Sequence, residues 1–183
     1  MENVTEITSQ RTASGDVDVV LSRWKNGDAV QRAREFIERY GLPEEVSSRR
    51  LIWHNNGPWK WSMIVDEALP HRYPKEHQDY LTQVTSYRVN RDKASDCLKF
   101  DGSVNLDVVA GEVGSRCSGE DANFITTNLA VEIMEGRRSW QEARRFMAET
   151  MRDKSNNEYL ERLLFEPMSF EQARNAEERF EEP

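Results

Sequence analysis

Residues 55–67, NNGPWKWSMIVDE, constrain the fold of this chain more than any other segment. Asn55-Asn56-Gly57-Pro58 is turn chemistry, and the residues after it alternate between apolar and polar, as a strand with one covered face does. The apolar positions are Trp59, Trp61, Met63 and Val65. With the strand-like RRLIWH at 49–54, the pattern predicts an antiparallel hairpin, because so tight a turn cannot join parallel strands.

Further strands are predicted at Tyr80–Val89 and Val104–Ala110. The apolar phase changes after Gly111, so 111–117 is either a fifth strand or a bulged continuation of the fourth. Helical spacing of apolar residues and capping residues predict helices over 28–40, 92–100, 118–135 and 139–151. Hairpin-linked strands followed by helices predict an α+β fold, an antiparallel, curved sheet of four or five strands with helices on one face.

The chain divides into three predicted parts. Residues 1–27 are polar and are expected to be a loose N-terminal segment, and 28–152 form a single α+β domain. Residues 153–183 hold nine acidic and four basic residues, and apolar residues recur there at helical spacing. This segment predicts an acidic amphipathic helical appendage, which must pack on the body, on a second copy of the chain or on a protein partner. A homodimer or a partner bound through 153–183 is therefore expected.

Composition excludes several classes of protein. Five Trp, seven Phe and five Tyr provide a core and exclude wholesale disorder. The net charge of −8 without a basic block argues against nucleic acids and anionic membranes as partners, and no apolar run approaches the ~18 residues of a membrane span. The N-terminus does not have the pattern of a signal peptide, so we expect a cytoplasmic protein whose Cys97 and Cys117 are reduced thiols. Nucleotide-binding, metalloprotease and hydrolase motifs are absent, and no cofactor is predicted.

The chemistry-bearing residues concentrate between positions 53 and 80. All three histidines lie there, His54, His71 and His77, with three of the five tryptophans. His77 and Asp79 are two residues apart where a strand begins, so their side chains share a face, and a carboxylate there can orient an imidazole as a general base. The alternative is a strand-entry histidine beside a solvated acid.

A metal site would need a third ligand, which His71, Glu76 or His54 could supply. Nothing in the sequence fixes the spacing of these residues, so no metal ligands are assigned. Cys117 precedes a predicted helix, which would favour its thiolate, but no sequence feature places a base beside it.

The sequence favours a small protein that binds a partly aromatic or apolar ligand in a pocket between the sheet and the long helix. The expected lining is Trp59, Trp61, His71 and Asn128, with His77 and Asp79 beside them. The first alternative is an enzyme in the same pocket that uses His77 and Asp79 as an acid–base pair or a His/carboxylate metal site. The second is a non-enzymatic interaction protein that docks through its acidic C-terminal segment.

Overall fold

The computed structural model describes residues 14–153 and 158–174, and the expectations for the other residues lie outside this range. The helices are α1 (Ser14–Leu21), α2 (Gly27–Tyr40), α3 (Ala94–Phe100), α4 (Glu120–Met134), α5 (Trp140–Asp153) and α6 (Phe170–Ala173). The strands are β1 (Glu45–Val46), β2 (Arg50–Asn56), β3 (Trp59–His71), β4 (His77–Ser86), β5 (Val104–Asp107) and β6 (Glu112–Cys117). Single 3-10 turns occupy Arg91–Lys93 and Glu158–Leu160.

The six strands form one open antiparallel sheet in the order β1-β2-β3-β4-β6-β5. The predicted α+β class and antiparallel sheet are confirmed. Residues 112–117 form a separate strand between β4 and β5, which answers the question that the sequence left open. The structure also has one strand that was not predicted, the two-residue β1, which is too short to leave a pattern in the sequence.

The helices cover one face of the sheet with two apolar clusters. Leu51, Ile64 and Leu81 are cross-strand partners on β2, β3 and β4, and they pack with the buried side of α2. The second cluster joins β5 and β6 to α3, α4 and α5 around Phe100 and Ile125. Trp53 of the first cluster and Val104 of the second lie in one cross-strand row, so both clusters are on the same face.

The expectation that Trp59, Trp61, Met63 and Val65 form the covered face of β3 is wrong beyond Trp59. Ser62 and Ile64 are fully buried, whereas Trp61, Met63 and Val65 are only half-buried. The reason is a polar network beneath the helices: Gln83 Nε2 lies 3.2 Å from Ser62 Oγ and 2.9 Å from Glu120 Oε1. Polar side chains whose hydrogen bonds are satisfied can occupy the buried face of a strand. The face that carries the apolar residues is then not the buried face.

The described part of the N-terminal segment belongs to the core, which corrects the expectation of a loose segment over 1–27. Val17 and Leu21 of α1 and Trp24 after it are buried in the cluster around α2. The Trp24 indole N–H donates to the Ser48 carbonyl at 3.1 Å. Polar residues dominate this stretch, but three well-placed apolar side chains are enough to dock a short helix.

Residues 158–174 pack on the body of the same chain. Asn128 on α4 holds the segment, because its Nδ2 donates to the Arg162 carbonyl at 2.9 Å and its Oδ1 accepts from Leu164 N at 2.8 Å. Within 158–174 only one 3-10 turn and the four-residue α6 are helical. Docking of a partner through 153–183 stays a prediction. Among the described residues, no helix is both long and apolar enough to cross a membrane.

The β3–β4 hairpin extends further than the sequence indicates, and this extension positions the candidate site. No strand was predicted between Glu67 and Tyr80, yet β3 runs to His71 and β4 begins at His77. Beyond Val65 no β2 residue pairs with β3, so Pro70 lies where the strand has one neighbour and a missing N–H is tolerated. At the hairpin tip Tyr73 donates to the Arg144 carbonyl at 2.7 Å, which ties the tip to α5.

Candidate functional site

Two histidines and one aspartate meet at the far end of the β3–β4 hairpin. His71 and His77 are cross-strand partners, with ring centroids 4.9 Å apart. Asp79 follows His77 by two residues and shares its face of β4, as the sequence predicted. Ligand-type atoms of the three side chains all lie within 4.8 Å of one another. The hairpin register thus converts three scattered sequence positions into one cluster.

The atoms that face each other in this cluster are close but do not form proper hydrogen bonds. His77 Nε2 lies 2.9 Å from Asp79 Oδ1, and His71 Nδ1 lies 3.1 Å from Asp79 Oδ2. Within the described ranges, His71 Nδ1 and Asp79 Oδ1 are nonetheless buried without any partner of acceptable hydrogen-bond geometry. Buried polar atoms are almost always paired, so two orphans in one cluster require an explanation.

The remaining nitrogen of each ring faces an outer acceptor. His77 Nδ1 lies 2.8 Å from the Lys75 carbonyl oxygen, which can only accept, so Nδ1 carries a proton and Nε2 is the nitrogen that faces the cluster. His71 Nε2 lies 3.6 Å from Oδ1 of Asp101. Asp101 follows α3, is buried, and accepts from Ser103 N at 2.8 Å. The His77 imidazole is therefore held from behind by a carbonyl, and the His71 imidazole has a carboxylate within ion-pair distance on its far side.

Electrostatics at the cluster favour a positive charge between the side chains. The carboxylate of Asp79, followed by Cys117, raises the pKa of His77 to about 11, against the opposing effect of burial. For Asp101, which is an acid, burial has the opposite sign: it raises the pKa of the carboxyl group, and hydrogen bonds from Ser103 partly oppose that rise. A proton on His77 Nε2 supplies this positive charge, and any other cation at that point would have to displace it.

Cys117, the last residue of β6, lies against the cluster. Its Sγ is 3.3 Å from His77 Nε2, and the residue is 5% exposed. Burial raises the pKa of the Cys117 thiol, and the neighbouring His77 offsets only part of that rise. The thiol is therefore protonated at neutral pH, and this environment does not favour a free thiolate nucleophile.

The cluster borders a small cavity of about 180 Å³ next to the beginning of α4. Besides His77 and Cys117, its wall includes Lys75 and Gly119, with Met147 from α5. The cavity thus lies against the side of the cluster formed by His77 and Cys117.

The other residues predicted to line a single pocket lie elsewhere. Trp59 and Trp61 are at the beginning of β3, whereas His71 is at its end. The Trp59 indole N–H donates to Glu120 Oε1 at 2.8 Å, and its ring stacks on Phe124. Asn128 holds the C-terminal segment. His71, His77 and Asp79 come together, and Trp59, Trp61 and Asn128 do not join them.

Sequence reasoning missed two members of the site. No role was predicted for Asp101, and Cys117 was noted without a neighbouring base. Both reach the histidines through long-range contacts, from the end of α3 and the end of β6. The only available signal was that Cys117 ends a strand that could pair with the strand carrying His77.

No protein-family model, curated protein or solved structure matches the chain. The function therefore has to be inferred from the chemistry of the site itself.

Proposed function

We propose that this protein binds one divalent transition-metal ion of the zinc class through His71 Nδ1, His77 Nε2 and the Asp79 carboxylate. The observation that carries the proposal is the pair of buried atoms without hydrogen bonds, His71 Nδ1 and Asp79 Oδ1. Both face His77 Nε2 in one group of potential ligand atoms. An ion at their centre would satisfy all three lone pairs at once, as two imidazoles and a carboxylate do for zinc.

The surroundings of the two rings support this assignment. Histidines that bind metals usually donate their other N–H to a carbonyl or a carboxylate, which fixes the ring and raises its basicity. Here the Lys75 carbonyl serves His77 at 2.8 Å, and the Asp101 carboxylate stands 3.6 Å from His71. The site thus has an outer shell of the right chemical type on both histidines.

The same geometry supports an acid–base pair less well. In such a pair the carboxylate binds one imidazole nitrogen and leaves the other free to take a proton from a substrate. Asp79 instead lies beside Nε2, the nitrogen that faces the cluster, and Nδ1 is held by the Lys75 carbonyl. The carboxylate is therefore not placed to orient His77 from behind, whereas both arrangements suit a metal ligand.

Calorimetric titration of chelator-treated protein with Zn²⁺ tests the proposal, with bound metal counted by elemental analysis. We expect one ion per chain in the wild type. His71→Gln and His77→Gln should each weaken binding by at least about 100-fold, because loss of outer partners alone costs 10–100-fold. His54→Gln is the matched control, since His54 pairs with Glu45 on the exposed side of β2, outside the cluster.

Circular dichroism of each variant checks that the sheet is retained. The proposal is overturned if the wild type binds no stoichiometric zinc. It is equally overturned if folded His77→Gln binds zinc as tightly as the His54→Gln control.

A further inference from the structure

The two histidines and Asp79 are not the only donor groups at the hairpin end. Cys117 Sγ lies 3.3 Å from His77 Nε2, and Cys117 closes β6 at the same end of the sheet. We infer that Cys117 is a fourth ligand, so that two imidazoles, a carboxylate and a thiolate enclose the ion. This inference rests on the metal-binding function proposed above.

His77 Nε2 stands at near-tetrahedral separations from two other donor atoms. With Zn–S of about 2.3 Å and Zn–N of about 2.0–2.1 Å, two tetrahedral ligands S and N stand ~3.5 Å apart, and N and O ~3.4 Å apart. The observed separations from His77 Nε2 are 3.3 Å to Cys117 Sγ and 2.9 Å to Asp79 Oδ1, both within about half an ångström of the tetrahedral values. His71 Nδ1 approaches the other oxygen of the same carboxylate, Asp79 Oδ2, at 3.1 Å.

No single protonation state of His77 pairs both neighbours of its Nε2 atom. Asp79 Oδ1 and Cys117 Sγ both crowd this nitrogen, and Asp79 Oδ1 is left without a proper hydrogen bond. A protonated Nε2 points its one N–H at one acceptor, whereas an unprotonated Nε2 can accept from the Cys117 thiol but leaves the carboxylate unpaired. An ion takes several donors at once, and it would replace this unsatisfied contact with bonds to all of them.

The identity of the fourth ligand decides which kind of metal centre this is. Zinc sites with three protein ligands keep a position for water and are typically catalytic, whereas sites with four protein ligands are typically structural. With Cys117 bound, the ion would join the end of the β3–β4 hairpin to the end of β6, three residues before α4 begins at Glu120. The geometry therefore points to a closed site that fastens the hairpin to the body.

Substitution of Co²⁺ for zinc tests the thiolate directly. A cobalt–thiolate bond gives a charge-transfer band in the near ultraviolet, and tetrahedral cobalt gives intense visible bands whatever its ligands. We expect both signals in the wild type and in Cys97→Ala, because Cys97 is buried elsewhere with its Sγ 3.6 Å from the Ala130 carbonyl. Cys117→Ala should lose the near-ultraviolet band while binding cobalt more weakly.

The possible results separate the two proposals. Visible cobalt bands without a charge-transfer band in the wild type would overturn the role of Cys117 and leave the metal centre standing. Absence of stoichiometric cobalt binding would overturn the metal centre itself. Should Cys117→Ala fail to fold, the wild type and Cys97→Ala suffice, because the chain has only two cysteines and a band that survives loss of Cys97 belongs to Cys117.

Discussion

Glu120 is a buried carboxylate that accepts several hydrogen bonds, and its neighbours allow the cost of its loss to be worked out. Its side chain accepts from Trp59 Nε1 at 2.8 Å, Gln83 Nε2 at 2.9 Å and the Tyr40 hydroxyl at 2.8 Å. Arg39 also lies 2.6 Å away, but its side chain is 61% exposed, so solvent screens that ion pair and it adds little. The penalty therefore comes from the buried donors.

Glu120→Ala would remove the acceptor of the Trp59 indole N–H and one of the two acceptors of the Gln83 amide, and both donor groups are buried. Each unsatisfied buried group costs about 1–3 kcal/mol, so we expect a loss of about 2–6 kcal/mol in the free energy of unfolding. Glu120→Gln keeps an acceptor oxygen and loses only the charge, and should cost about 1 kcal/mol. Glu35→Ala removes an exposed ion pair with Arg32 and serves as the control, with an expected cost under about 0.5 kcal/mol.

Urea unfolding followed by tryptophan fluorescence and far-ultraviolet circular dichroism measures these differences, provided both probes give one transition. The reasoning is refuted if Glu120→Ala costs less than about 1 kcal/mol at an unchanged slope. It is refuted as well if the Ala variants of Glu120 and Glu35 lose the same free energy, since burial would then make no difference.

Three further predictions concern the sheet, the C-terminal segment and the tyrosines. Ile64→Ala should cost about 2–5 kcal/mol in urea unfolding and the adjacent Met63→Ala clearly less, because only Ile64 is fully buried; equal costs would contradict the inner face described above. Asn128→Asp puts a carboxylate oxygen against the Arg162 carbonyl, so the Leu164 amide should exchange hydrogen faster, and unchanged exchange would show that Asn128 does not hold the segment. Burial raises the pKa of all five tyrosines above the unfolded value of about 10. Their stabilising contribution is therefore present below pH 10 and is lost as the pH rises further. The absorbance of the phenolate form in the native protein should titrate at a higher pH than in denaturant, and coincident midpoints would contradict this.

Local patterns predicted the β2–β3 hairpin well, but not which of its faces is buried. The turn at 55–58 joins β2 to β3, as the sequence indicated. The buried face went wrong because Ser62 is polar and looked solvent-facing, whereas its partner Gln83 comes from another strand. The alternation of apolar and polar residues along a strand indicates only which face is usually buried. A hydrogen bond to a distant strand can bury the polar face instead, and nothing in the local sequence shows this.

The candidate site was predictable only where two neighbours in sequence share a face. His77 and Asp79 satisfied that condition, and the prediction that they share a face agrees with the structure. His71 joins them through the register of a hairpin whose end contains two prolines and was not predicted to be strand. Asp101 and Cys117 arrive from distant elements, so a single sequence carries no distance information that would have placed them there.

The inner face of β4 links the buried polar network to the proposed metal centre. Every second residue of β4 from His77 to Gln83 lies on this face: His77, Asp79, Leu81 and Gln83. The proposed ligands, the apolar cluster and the polar network therefore follow one another along a single strand. A slip of one residue in the pairing of β4 would turn all four outward together. Gly114 of β6 helps to fix that pairing, because an added Cβ would stand 2.0 Å from the Gln83 carbonyl oxygen, and only glycine allows β6 to approach so closely. Cys117 lies three residues further along β6, and the same β4–β6 pairing places it beside His77. The strand pairing that Gly114 permits therefore also positions the proposed fourth ligand.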